Sequence, residues 1–314
     1  MPGLSREGIV RIILHPLARS PKKKQTKKIE SKSASDNNFT CSFTTFFFPM
    51  ACQLCPKGSL PASYGDKHYT AKGKEVKLGD QCAYVVGDSK WKSAVIVCHD
   101  VFGPNKGTHH QLCDALAAGG HYVIMPDFFN GGSIEPYYAS KQVPKGVEWL
   151  KEFDWKHCST VLDAVHAHLK DEGIERTGSI GFCWGSWVVA KLTQDASKCQ
   201  AGVWAHPSVF VGKDLYEGET EQELTAAVKA PTLVMPSKQE PDFYKNGELT
   251  KIAEANGVPW ETIDFKDQMH GWVIRGSGWL GSYYENDTTD VRAIIGVQRA
   301  VNAALGFYAK HLPY

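Results

Sequence analysis

The stretch Ser179-Ile180-Gly181-Phe182-Cys183-Trp184-Gly185-Ser186 decides how this chain reads. A short apolar segment runs into Gly181, a cysteine stands midway between two glycines, and an apolar run from Ser186 to Leu192 follows. A reactive residue held at a sharp turn from strand to helix needs glycines on either side, because a Cβ there would collide with crowded backbone. Cysteine suits the position. At a helix N-terminus it faces unsatisfied amides and the positive end of the helix dipole, which favour thiolate over thiol. The backbone N–H of Trp184 then points toward the oxyanion that a tetrahedral intermediate would carry. The plainer reading is a structural cysteine between glycines that merely turn the chain, so its partners must decide.

Outward from this segment, strands and helices alternate. Ala94-Val95-Ile96-Val97-Cys98 and Tyr122-Val123-Ile124-Met125 are continuous apolar runs, as expected for strands covered on both faces. Between them a helix is expected over 107–118, with Leu112 and Leu116 on one face. Residues 157–170 place Val161, Leu162, Val165 and Leu169 at helical spacing. Further strands are expected at Ala201–Ala205, Thr232–Met235 and Glu261–Phe265, with helices near 246–256 and 290–310. This alternation predicts an α/β fold, a mostly parallel sheet with helices on both faces, in one domain without internal repeats.

A cysteine elbow in such a sheet predicts the order nucleophile, acid, histidine, each on a turn after a strand. Asp242 follows the 232–235 strand, and Glu240, two residues earlier, is the alternative acid. His270, followed by Gly271, comes after the 261–265 strand. Among the other histidines, His109 and His110 fall in a helix as surface or packing residues, and His166 and His168 show no paired ligand pattern. His206 sits at a strand end before Pro207 and lines the pocket without holding the triad position. Ser186 lies off the centre of the elbow.

Composition narrows the classes of partner. Of 314 residues, 42% are hydrophobic and 22% charged, which is ordinary for a globular protein with a sizeable core. Thirty-five basic and 34 acidic residues nearly cancel, so no global field favours nucleic acid or an anionic membrane. No apolar run reaches the roughly 20 residues of a membrane-spanning helix. The nine cysteines are odd in number and scattered, which favours reduced thiols over a disulfide framework. Cys52 and Cys55 form a CxxC pair, but no second pair follows at the spacing of a structural zinc site, so no metal is expected. Asn38 and Asn286 match a glycosylation acceptor pattern that matters only in a secreted protein. Residues 1–50 stand apart: Lys22, Lys23, Lys24, Lys27, Lys28 and Lys32 cluster there, ahead of Phe46, Phe47 and Phe48. They read as a disordered extension, a transit peptide, or sequence ahead of a true start at Met50. The α/β domain is expected over 51–314. Localisation is accordingly cytoplasmic, or organellar if the extension is a transit peptide.

The residues now named resemble the dienelactone hydrolase family, the carboxymethylenebutenolidases, which have the α/β-hydrolase fold. The similarity covers residues 50–314. It is carried by His99-Asp100-Val101-Phe102-Gly103, Pro126-Asp127-Phe128-Phe129, Ile180 to Gly185, and His270-Gly271-Trp272. Ala205-His206-Pro207-Ser208 is similar to a eukaryotic subgroup. The resemblance implies a triad of Cys183, Asp242 and His270, and an oxyanion hole from the amides of Trp184 and Val101. It also implies a carboxylate just before Val101 that gates the resting thiol; here that residue is Asp100, where bacterial members carry glutamate. Arg275 is placed to hold a substrate carboxylate, while Trp184, Phe102 and Trp272 are expected as apolar pocket walls. The implied activity is hydrolysis of small esters or lactones through an acyl-cysteine, with no cofactor. The alternatives are thioesters or xenobiotic esters as substrates, or a ligand-binding protein that keeps the hydrolase shell.

Overall fold

A computed structural model describes residues 69–275 and 291–312. The basic extension, the Cys52–Cys55 pair and both glycosylation patterns lie outside the described residues.

Eight strands form one sheet: β1 (Lys74–Leu78), β2 (Gln81–Val86), β3 (Ser93–Cys98), β4 (Tyr122–Pro126), β5 (Arg176–Phe182), β6 (Ala201–Ala205), β7 (Thr232–Met235) and β8 (Trp260–Thr262). The helices, in chain order, are α1 (His109–Ala118), α2 (Glu135–Ala139), α3 (Val143–Leu150), α4 (Trp155–Asp171), α5 (Trp184–Leu192), α6 (Val211–Asp214), α7 (Glu221–Ala227), α8 (Glu248–Ala255), α9 (Trp272–Arg275) and α10 (Val291–His311). The strand order is β1-β2-β4-β3-β5-β6-β7-β8. The β1–β2 hairpin joins β4 antiparallel at one edge, and every other pairing is parallel. The expected α/β architecture is what the chain adopts.

Side-chain alternation along the strands sorts the core into two layers. From β3, Ala94, Ile96 and Cys98 enter one layer, and Val95 and Val97 the other. The first layer is covered by α3, α4, α5, α7 and α8, the second by α1, α9 and α10. β3 is buried along its whole length, which is why it reads as an unbroken apolar run. Among the described residues no helix is long and apolar enough to cross a membrane.

The sheet differs from expectation at both of its edges. The β1–β2 hairpin precedes the first strand legible in the sequence, because its edge position leaves Lys74 and Glu75 exposed and breaks the apolar pattern. The last strand is shorter than 261–265. Pro236 follows β7 and lacks the N–H that would continue the ladder. Contact resumes only where Phe265 donates to the Pro236 carbonyl at 2.9 Å and Ser237 bridges Phe265. That interruption opens the two loops in which the candidate site is built.

Candidate active site

Cys183 sits between β5 and α5 with φ 54° and ψ −116°, a left-handed backbone that costs on the order of 1–3 kcal/mol for a residue with a Cβ. Three main-chain bonds hold it. Its N–H donates to Ala205 at 3.3 Å, and its carbonyl accepts from Ser186 at 3.1 Å and Ser208 at 3.0 Å. Both flanking glycines are sterically required. A Cβ on Gly181 would stand 2.2 Å from the Gly185 carbonyl oxygen, and one on Gly185 would stand 2.2 Å from that of Cys98. The second contact matters most, because it presses the end of β3 against the elbow and so brings Asp100 and Val101 to it. Ser186 donates its hydroxyl to the Gly181 carbonyl at 2.9 Å.

His270 arrives from the loop after β8, and that loop is zipped to the loop after β7. Beyond the Ser237–Phe265 bridge, Lys238 N–H donates to Gln268 at 3.2 Å. The His270 N–H donates to the Gln239 side chain at 2.6 Å. The last link is the imidazole itself, whose Nδ1 lies 2.6 Å from Oε1 of Glu240. Both side chains are wholly buried, and the other Glu240 oxygen accepts from the Ser237 amide. Burial alone would discharge His270. Electrostatic and hydrogen-bonding interactions with Cys183, joined by those with Glu240, outweigh it and raise the His270 pKa.

Asp242 does not reach the histidine. Pro241 turns the chain outward, so Asp242 opens a one-turn 3-10 helix and is exposed. The carboxylate hydrogen-bonded to His270 is that of Glu240, the alternative acid, and not that of Asp242. The Ser237–Phe265 bridge joins the two loops, and the turn that starts at Ser237 folds residue 240, not residue 242, back over it.

The remaining residues group around this pair. Asp100 is buried; one oxygen accepts from the Phe102 amide at 3.0 Å and the other from Arg275 Nε at 2.5 Å. Arg275 is also buried, with its guanidinium 4.9 Å over the Phe102 ring and Nη2 3.5 Å from His270 Nε2. Trp184, the first residue of α5, donates its indole N–H to Tyr216 at 2.9 Å. Trp272 packs in the core against Phe265 and His206, with centroids 4.9 and 5.2 Å away. Its place is therefore behind the His270 loop, not the pocket wall expected of it.

His206 is buried with φ 37°, its ring 5.0 Å from that of His270, and burial holds its pKa well below the ordinary value. His99 is structural. Its Nε2 accepts from Phe128 at 3.1 Å, which leaves Nδ1 to donate to the Asp100 carbonyl at 2.8 Å and brace that turn. Buried His109 likewise donates Nδ1–H to Lys106 at 2.6 Å. Two contributors carry no role in the sequence reading: Gln239, and Ser208, which enters it only as the last residue of the Ala205–Ser208 motif. The Ser208 hydroxyl lies 3.4 Å from the Cys183 sulfur. Only the register gives it away: Phe182 pairs with Ala205, so the residues just after β6 must cross beside the elbow.

The dienelactone hydrolase family model matches residues 82–295. A carboxymethylenebutenolidase homolog of Xenopus tropicalis is 36% identical over 72% of this chain and 88% of its own. The human carboxymethylenebutenolidase homolog is 29% identical over 68% and 85%. Among solved structures, a Klebsiella pneumoniae protein assigned to the dienelactone hydrolases superposes with a TM-score of 0.54 at 18% identity, covering 76% of this chain and 98% of that one. At that identity the superposition speaks for the fold alone; the family match and the relatives carry the rest: the chain belongs to the dienelactone hydrolase family and is a hydrolase of the α/β-hydrolase fold.

Proposed function

We propose that the protein hydrolyses small esters or lactones through an acyl-cysteine on Cys183, with His270 as base and Glu240 as its orienting acid. One observation carries the reading. His270 holds the Glu240 carboxylate on Nδ1 at 2.6 Å and its pKa is raised by interaction with Cys183 and Glu240, while Cys183 occupies an elbow with a φ of 54°.

The steps balance with side chains, backbone amides and water. The Cys183 thiol proton passes to His270 Nε2, and the sulfur attacks the substrate carbonyl carbon. The amides of Trp184 and Val101 receive the oxyanion; in such sites one lost donor costs about 2.7–4 kcal/mol. The C–O bond breaks and the leaving oxygen takes the proton from His270. A water then attacks the thioester, His270 accepts its proton, and the acid departs as the thiol re-forms. Glu240 holds Nδ1–H, so that Nε2 is the free base, and stabilises the imidazolium. Arg275 is the cation beside the reacting centre and would meet a negatively charged substrate group, with Phe102 beneath it.

The experiment compares wild type with Cys183→Ala on p-nitrophenyl acetate and on a dienelactone. Wild-type turnover with an inactive variant is expected. A variant that matched wild type would exclude cysteine catalysis, and a wild type that bound these compounds without turning them over would favour a ligand-binding role.

A further inference from the structure

The turn after β6 brings a second hydrogen-bonding group to the nucleophile. We propose that Ser208 is a positioning residue that donates its hydroxyl hydrogen to the Cys183 thiolate and so steadies the charged form of the nucleophile; this rests on Cys183 being the nucleophile.

The position is over-determined. Ser208 is fully buried, its N–H donates to the Cys183 carbonyl at 3.0 Å, and its Oγ lies 3.4 Å from the Cys183 sulfur. One residue thus holds both the carbonyl and the side chain of the cysteine. The approach is built into the backbone as well. His206 takes a left-handed φ of 37° and donates its N–H to Met235 at 2.9 Å, and Pro207 has a ring-locked φ. The chain therefore leaves β6 by bending across the elbow. A buried hydroxyl is normally hydrogen-bonded, and among the described residues the Cys183 sulfur is the side-chain partner this one has.

Chemistry sets the direction of the bond. A thiolate has no hydrogen, so against it Ser208 must be the donor, and hydrogen bonds to a charged acceptor are the stronger kind. Against the neutral thiol the bond is weak whichever atom donates. The contact therefore favours the thiolate over the thiol. It acts alongside His270, whose own partners are Glu240 on Nδ1 and Arg275 3.5 Å from Nε2. The other ionisable groups nearby are Asp100, bound to Arg275, and the buried imidazoles of His206 and His109. All of these stay in place when only the hydroxyl is removed.

The test is the rate of Cys183 alkylation by iodoacetamide as a function of pH, followed by peptide mapping. Wild type is compared with Ser208→Ala and Ser208→Thr after circular dichroism has verified folding. In Ser208→Ala the midpoint should rise by about one pH unit, so that the rate well below the midpoint falls about tenfold while the high-pH plateau is kept. Ser208→Thr, which retains the donor, should keep the wild-type midpoint. A lowered plateau with an unmoved midpoint would make Ser208 merely structural and overturn the proposal, as would a folded Thr variant that shifts like Ala. If Ser208→Ala is misfolded, Ser208→Gly removes the same hydroxyl and is read in the same way. Failure of the nucleophile itself is seen separately, as hydrolysis that survives Cys183→Ala.

Discussion

Replacing Glu240 by glutamine should disable the site by inverting a tautomer while leaving its shape intact. Glu240 accepts two hydrogen bonds, from Ser237 N–H and from His270 Nδ1–H at 2.6 Å, with neither side chain exposed. Glutamine offers one acceptor and one donor. The buried Ser237 amide needs the acceptor, so the NH2 group must face Nδ1. The histidine then carries its proton on Nε2, the atom that has to accept one from Cys183. A buried charge-assisted bond of about 1.5–3 kcal/mol is also lost from the imidazolium. Together these amount to about 3–5 kcal/mol, or roughly 10²- to 10⁴-fold in kcat/KM. The upper end matches the roughly 10⁴-fold cost of the equivalent amide substitution in a serine-protease triad. The assay is p-nitrophenyl acetate hydrolysis beside Asp242→Asn, which removes an exposed carboxylate and should leave kcat/KM within about twofold. A near-normal Glu240→Gln together with a crippled Asp242→Asn would refute the assignment.

Three further outcomes follow from the packing and the charges. Gly185→Ala forces a Cβ against the Cys98 carbonyl and should cost about 3 kcal/mol in urea unfolding, with esterase activity lost; an active variant of wild-type stability would deny that β3 and the elbow touch this closely. Arg275→Met leaves Asp100 buried without its cation and should lower stability by about 3–5 kcal/mol, most of it restored by adding Asp100→Asn; costs that merely add would show that the pair is not coupled. Burial lowers the pKa of His109 and of His121 to about 4 each, below the unfolded value of about 6.5. The unfolded chain therefore binds more protons between these limits, and stability falls as pH drops from about 6.5 to about 4. Each histidine should remove about 2 kcal/mol between about pH 7 and about pH 5, and a His109→Gln variant that unfolds with an unchanged pH slope would contradict this.

The fold was legible because its central strands are covered on both faces, so Ala94–Cys98 and Tyr122–Met125 stand out as unbroken apolar runs. The elbow was legible because two glycines are sterically required on either side of one cysteine. The choice of acid was not. Asp242 and Glu240 both follow β7, and what separates them is a long-range event, the Ser237–Phe265 bridge with Pro241 beyond it, which has no local signature. Trp272 misled for a similar reason, since an aromatic next to a candidate catalytic histidine can face the core as readily as the substrate. The role of Ser208 became visible only through strand register.

Everything proposed for the site depends on covalent chemistry at one sulfur. Rapid acid quenching of the enzyme during p-nitrophenyl acetate turnover, followed by peptide mass mapping, tests it most directly. An acetyl group on Cys183, present during turnover and gone once substrate is exhausted, is the predicted result. Turnover with Cys183 unmodified and the acyl group on another residue, or on none, would contradict it.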